Sequence, residues 1–138
     1  MSDTDEKRWK QRLENFGTDL ENLSEACEQD TYTNLERAGL IKTFEICFEL
    51  SWNVLKDLLF YEGFQEKVPR AFIQRSLETG YINASDCELL LQCLKNRNVL
   101  SHAYRKDQAI EAENLIKQHY FPVLARLHST LKKNANND

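Results

Sequence analysis

The chain has 138 residues, a formal net charge of −4 and 41% apolar residues, which fits one domain with one core and excludes a disordered polyampholyte. With only 4 glycines and 2 prolines, turn chemistry is too scarce for a many-stranded β fold, and a few long helices are expected. The acidic balance argues against a broad non-specific nucleic-acid surface but leaves room for a local basic cleft.

Residues 1–12 are charged and lack the apolar stretch of a secretory signal. The leucine-rich run Glu88 to Leu94 is far short of the roughly 20 apolar residues of a membrane span, so a soluble, cytoplasmic protein without membrane association is expected. Over residues 5–29, Trp9, Leu13, Phe16, Leu20, Leu23 and Cys27 recur at steps of three and four, the signature of an amphipathic helix. Gly17 inside it costs about 1 kcal/mol against Ala. Residues 33–62 carry a wider stripe, from Leu40, Ile41 and Phe44 through Phe48 and Trp52 to Leu58 and Leu59, as in a central helix with several neighbours. Gly63 stands where a left-handed C-terminal cap would end that helix.

Pro69 suits the first turn of a short helix to about Glu78, which Gly80 terminates. Asn83 or Ser85 can cap the next helix, and Ser85 with Glu88 matches a capping box. Its buried face is Cys87, Leu90, Leu91 and Leu94. Asp107 can cap a last helix from about Gln108 to Lys132, which Pro122 should kink. His119 and His128 are isolated on that helix and read as structural. The expected fold is all-α: an antiparallel up-and-down four-helix bundle with one additional short helix, a single domain over 5–132 with a flexible tail at 133–138.

None of the four cysteines, Cys27, Cys47, Cys87 and Cys93, forms a CxxC pair. Reduced thiols in or near the core are expected, with no metal site. Glu45 and Glu49 lie four apart on one face and could act as paired carboxylates. The plainer reading is that they flank a packed stripe and pair with Arg or Lys of a neighbouring helix.

The segment that carries chemistry is residues 95–106, Lys-Asn-Arg-Asn-Val-Leu-Ser-His-Ala-Tyr-Arg-Lys. No acidic residue falls between Glu88 and Asp107, while Lys95, Arg97, His102, Arg105 and Lys106 do. On a regular helix Arg97 and His102 stand roughly 140° apart, and Asn98 shares a face with His102. Arg97 and His102 converge only if the helix ends near Ser101 or if a second copy faces the first across a two-fold axis. An Arg and a His in one cleft suit phosphodiester chemistry: the guanidinium grips phosphate oxygens, and imidazole exchanges a proton near neutral pH. With an RNA 2′-hydroxyl as nucleophile, no metal is needed. On spacing alone, an Arg and a His five apart are commonplace in helical proteins.

Arg97 to Tyr104 resembles the Arg-x4-His-x-Tyr motif of HepT-like HEPN proteins, in particular the nucleotidyltransferase substrate-binding subfamily. Lys42 to Leu59, with Phe44-Glu45, Phe48-Glu49-Leu50, Trp52 and Leu55-Lys56-Asp57, is similar to that family's K-x-F-E…F-E-L-x-W-x-x-L-K-D helix, and the likeness extends over roughly residues 8–130. The resemblance implies a homodimeric antiparallel helical bundle encoded beside a minimal nucleotidyltransferase. It implies a toxin–antitoxin pair in which this chain is a metal-independent ribonuclease without a cofactor. Arg97 would then hold the scissile phosphate, His102 would serve as general base or acid, and Asn98 would orient the site. Lys95, Arg105 and Lys106 would help bind RNA, and the partner nucleotidyltransferase, the antitoxin, would transfer AMP to Tyr104. The alternative within the same family is a non-catalytic substrate-binding subunit of a two-chain nucleotidyltransferase.

Overall fold

Ser2 opens the first helix, its side chain accepting a 3.1 Å hydrogen bond from the Asp5 N–H, and Asp3, Asp5 and Glu6 place negative charge at the positive end of the helix dipole. A computed structural model describes residues 2–102 and 105–137. Along it run α1 (Asp3–Ala26), α2 (Asn34–Tyr61), α3 (Pro69–Glu78), α4 (Ala84–Ser101), α5 (Lys106–Leu115), a π-helical turn (Ile116–Tyr120) and α6 (Phe121–Asn136). There is no strand among the described residues, so the all-α expectation holds.

Local chemistry sets most boundaries. Helix α2 starts at a capping box that the sequence reading missed: the Glu36 N–H donates to Thr33 Oγ1 at 3.1 Å and the Thr33 N–H to Glu36 Oε1 at 2.9 Å. It ends at Gly63, whose φ of +98° allows the Phe64 N–H to reach back to the Leu59 carbonyl at 2.9 Å. Helix α3 closes the same way, with Gly80 at φ +89° and the Tyr81 N–H on the Ser76 carbonyl. Of the two candidates for the α4 cap, Asn83 is used, its Oδ1 accepting the Asp86 N–H at 2.8 Å. Ser85 already lies inside the first turn, so the Ser85–Glu88 box does not form there. Asp107 likewise sits within the first turn of α5 and does not cap it; the N-cap position belongs to Arg105.

The last helix departs most from expectation. Pro122 lacks an N–H, and its ring excludes the carbonyl four residues back. The chain answers with the π-helical turn just upstream, where the Phe121 N–H bonds to the Ile116 carbonyl five residues earlier. The helical rod therefore divides into α5, a wide turn and α6, and it carries on to Asn136, past the Lys132 boundary suggested by sequence.

Helices α1 and α2 are antiparallel neighbours: Arg12 meets Asp57 at 2.6 Å, and farther along α1 Asp19 shares a cleft with Glu45. Helix α4 runs back along α2 and is met in turn by the return helix, through Arg126–Asp86 at 2.8 Å and the Tyr120 hydroxyl on Gln92 at 3.3 Å. The core between them holds Trp9, Phe16, Phe44, Phe48 and Tyr120, all buried, with Phe44 stacked on Tyr120 at 5.5 Å. A buried ion pair, Arg37–Glu113 at 2.8 Å, ties the start of α2 to α5, and Arg37 also donates to Asn34 and to the Tyr32 carbonyl.

Cys47, Cys87 and Cys93 are buried, Cys27 is half-buried, and all four are free thiols. Burial pushes Cys27 up to about 11 and Cys47 up to about 12, and raises Cys93 as well, so these thiols stay protonated and unreactive at neutral pH.

Candidate functional site at the α2–α4 cleft

Arg97 projects from the penultimate turn of α4 toward the middle of α2. Its Nη1 donates to Glu49 Oε1 at 3.0 Å. The second carboxylate oxygen of Glu49 is also engaged, accepting the indole N–H of Trp52 at 2.8 Å. Trp52 in turn lies flat against Phe72 of α3, with ring centroids 6.2 Å apart and planes 13° from parallel. Arg97, Glu49, Trp52 and Phe72 thus form a chain of contacts across three helices. Side-chain exposures of 35% for Arg97 and 44% for Glu49 leave their ion pair open to solvent screening. A pair of that kind contributes about 0–1 kcal/mol.

Beside this chain lies a cleft of about 650 Å³. Arg97 and Asn98 supply its α4 wall, Asp19 comes from α1, and Lys42, Glu45, Ile46, Phe48, Glu49, Leu50 and Trp52 come from α2. Glu45 sits 3.8 Å from Lys42 on its own helix. Glu49 therefore pairs with an arginine of a neighbouring helix, as expected, whereas the ion pair of Glu45 with Lys42 lies within α2. Among the described residues no group of three or more His, Cys, Asp or Glu side chains is arranged to hold a metal ion.

Helical backbone continues through Ser101, and the chain leaves the helix at His102, with φ −109° and ψ 29°. The helix thus ends at Ser101, one of the two arrangements under which the roughly 140° separation of a regular helix no longer applies to His102. Arg97 and Asn98 line the cleft, whereas His102 is exposed at the end of α4 and is not among the described residues that line it. Tyr104, the expected AMP acceptor, lies outside the described residues, as does Ala103. Lys95, Arg105 and Lys106 are exposed, and Arg105 pairs with Asp107 at 2.9 Å. The basic run is acid-free along the sequence but not in space, where Glu49 and Asp107 meet two of its cations.

Glu49 and Trp52 are the residues whose part in the site sequence reasoning did not assign. Their i,i+3 spacing permits the indole-to-carboxylate bond, but only the packing of α4 on α2 brings Arg97 to the same carboxylate. Asp19 gave no signal at all. A larger groove of about 880 Å³ runs between α1 and α6, beside Gly17 and His128, and holds none of the predicted catalytic residues. No helix among the described residues is long and apolar enough to cross a membrane.

No curated protein matches the chain. Among solved structures, the crystal structure of a protein from Thermus thermophilus superposes with a TM-score of 0.74, covering 87% of this chain and 98% of that one at 24% identity. That likeness concerns the fold. The profile of the family described as "Nucleotidyltransferase substrate binding protein like" matches residues 11–133, a span that includes the α2 cleft, the Arg97–Glu49 pair and the end of α4. By that match over nearly its whole length, the chain belongs to the nucleotidyltransferase substrate binding protein-like family.

Proposed function

We propose that the chain is a HEPN-type, HepT-like toxin: a homodimeric, metal-independent endoribonuclease paired with a minimal nucleotidyltransferase that silences it by attaching AMP to Tyr104. The observation that carries this reading is the placement of Arg97 and Asn98 in the wall of an open cleft, one turn before His102 ends the same helix. In the proposed reaction the RNA 2′-hydroxyl attacks the adjacent phosphorus and the bond to the 5′-oxygen breaks, giving a 2′,3′-cyclic phosphate and a free 5′-hydroxyl. One His102 takes the 2′-hydroxyl proton, and its counterpart across the two-fold axis protonates the leaving oxygen. Arg97 stabilises the charge gathering on the phosphate. AMP on Tyr104 would put negative charge and bulk beside these groups and compete with RNA phosphate for them.

The test is cleavage of tRNA and mRNA by the purified protein in EDTA, beside Arg97→Ala and His102→Ala. Cleavage by the parent and its loss in both variants is the expected result. Equal cleavage by parent and variants would sink the reading.

One observation favours a second reading. Arg97 is already ion-paired with Glu49, and the chain is acidic overall, as suits a non-catalytic subunit that docks a nucleotidyltransferase and presents its substrate. Stable co-purification with a nucleotidyltransferase, with no RNA cleavage by this chain, would establish that role instead.

A further inference from the structure

We infer that Glu49 is an internal counter-anion that holds Arg97 in place of phosphate, so that RNA must displace its carboxylate to bind. The inference rests on the ribonuclease reading's assignment of Arg97 to the scissile phosphate. Three observations support it. Glu49 Oε1 sits 3.0 Å from Arg97 Nη1, the position a phosphate oxygen would take on a guanidinium fork. The carboxylate is held there from its other side, because Oε2 accepts the Trp52 indole N–H at 2.8 Å and that indole is braced against Phe72. Finally, both partners of the ion pair stay about a third or more exposed, which keeps the pair exchangeable.

A carboxylate so placed does two things. In the resting protein it fixes the guanidinium at the cleft wall, so a long, flexible side chain is already oriented when substrate arrives. It also competes with every incoming phosphate and lowers affinity for RNA in general. Only a strand whose other contacts offset the exchange displaces it. Glu49 is on this view a positioning residue that also sets the threshold for engagement, and Trp52 is the group that keeps it in register.

The experiment is fluorescence anisotropy of a labelled 2′-O-methyl RNA 12-mer, which binds but cannot be cleaved. It is titrated at fixed low salt with the full chain, Glu49→Gln, Arg97→Ala and the double variant. Gln at position 49 retains an oxygen for the Trp52 N–H and removes the charge. Glu45→Gln removes a carboxylate from the same cleft without touching the pair and serves as the control for net charge. The expected result is a roughly two- to fivefold tighter Kd for Glu49→Gln, little change for Glu45→Gln, weaker binding for Arg97→Ala, and no gain from Glu49→Gln once Arg97 is gone. Unchanged or weaker binding by Glu49→Gln, an equal gain from Glu45→Gln, or a gain that persists without Arg97 would each overturn the inference while leaving the phosphate role of Arg97 standing. Arg97→Ala binding as tightly as the parent would instead remove the ribonuclease assignment beneath it.

Discussion

The imidazole Nε2 of His128 lies 2.8 Å from the point where a Cβ on Gly17 would stand, so α6 seats against α1 where position 17 carries no side chain. The same ring meets Phe16 edge-on, with centroids 5.6 Å apart. A glycine that weakens α1 by about 1 kcal/mol in isolation is thereby given a packing purpose. Gly17→Ala alone is expected to gain little or nothing, because the added methyl displaces the imidazole. In a His128→Ala background the same substitution should stabilise by about 1 kcal/mol. Urea unfolding of the four-member cycle measures the coupling, and additive effects would refute it.

His128 also links stability to pH. Burial in the α1–α6 groove, with Lys132 nearby, lowers its affinity for a proton, and Glu21 opposes this only in part. The folded protein then holds the ring neutral where the unfolded chain would protonate it. Stability is complete above the unfolded value near 6.5 and is lost as pH falls from there through the lower folded value. His128→Gln should flatten that part of the stability profile, read as Tm against pH between about 7 and 5. A profile as steep as the parent's would count against the assignment.

The Arg37–Glu113 pair has side chains only 9% and 12% exposed. Arg37→Ala would leave the Glu113 carboxylate poorly paired and should cost about 3–5 kcal/mol. Replacing both, as Arg37→Met with Glu113→Leu, should recover most of that loss, because the desolvation of two charges goes with them. Denaturant midpoints of the single and double variants decide the matter.

Tyr120 separates packing from hydrogen bonding at one position. Its ring is fully buried on Phe44, while its hydroxyl donates to Gln92 at a long 3.3 Å. Tyr120→Phe should cost about 0.5–1.5 kcal/mol and Tyr120→Ala about 3–5 kcal/mol. Comparable losses for the two would mean that the ring contributes less than its burial implies.

From the proposed function, Tyr104→Phe should abolish AMP incorporation by the partner nucleotidyltransferase and leave the chain toxic in its presence. Radiolabel transfer from ATP, with growth of cells expressing both chains, tests this directly. Undiminished labelling of the Phe variant would move the acceptor elsewhere.

The fold was legible because its signals are local. Trp9, Leu13 and Phe16, or Leu55, Leu58 and Leu59, announce a buried face by spacing alone, and Gly63 and Gly80 mark where helices stop. What sequence left ambiguous was a choice between nearby residues of equal local merit, as with Asn83 and Ser85, where a two-residue difference in the helix start selects the cap. The site was legible only in part. Arg97 and Asn98, which line the cleft, stand in a contiguous motif. The Arg97–Glu49 contact joins residues 48 positions apart and exists only once α4 packs on α2, which no one-dimensional pattern encodes. The same packing shows why the basic run overstates the local charge: two of its cations have carboxylate partners in space.

The wide turn at Ile116–Tyr120 makes the helices on either side of it keep different phases. Each residue of an α-helix advances the side-chain direction by about 100°, so a turn that accommodates an additional residue re-aims everything after it. Before the turn, Ala112 points into the core beside α2 and α4; after it, Val123, Leu124, Leu127 and Leu131 do so where α1 joins the contact. Deleting a single residue beyond the turn, early in α6, would carry His128 into the place of Leu127 and Lys132 into that of Leu131, and would swing the two leucines toward water. The return helix should therefore tolerate exchanges of side chains on its outer face far better than any change in its length.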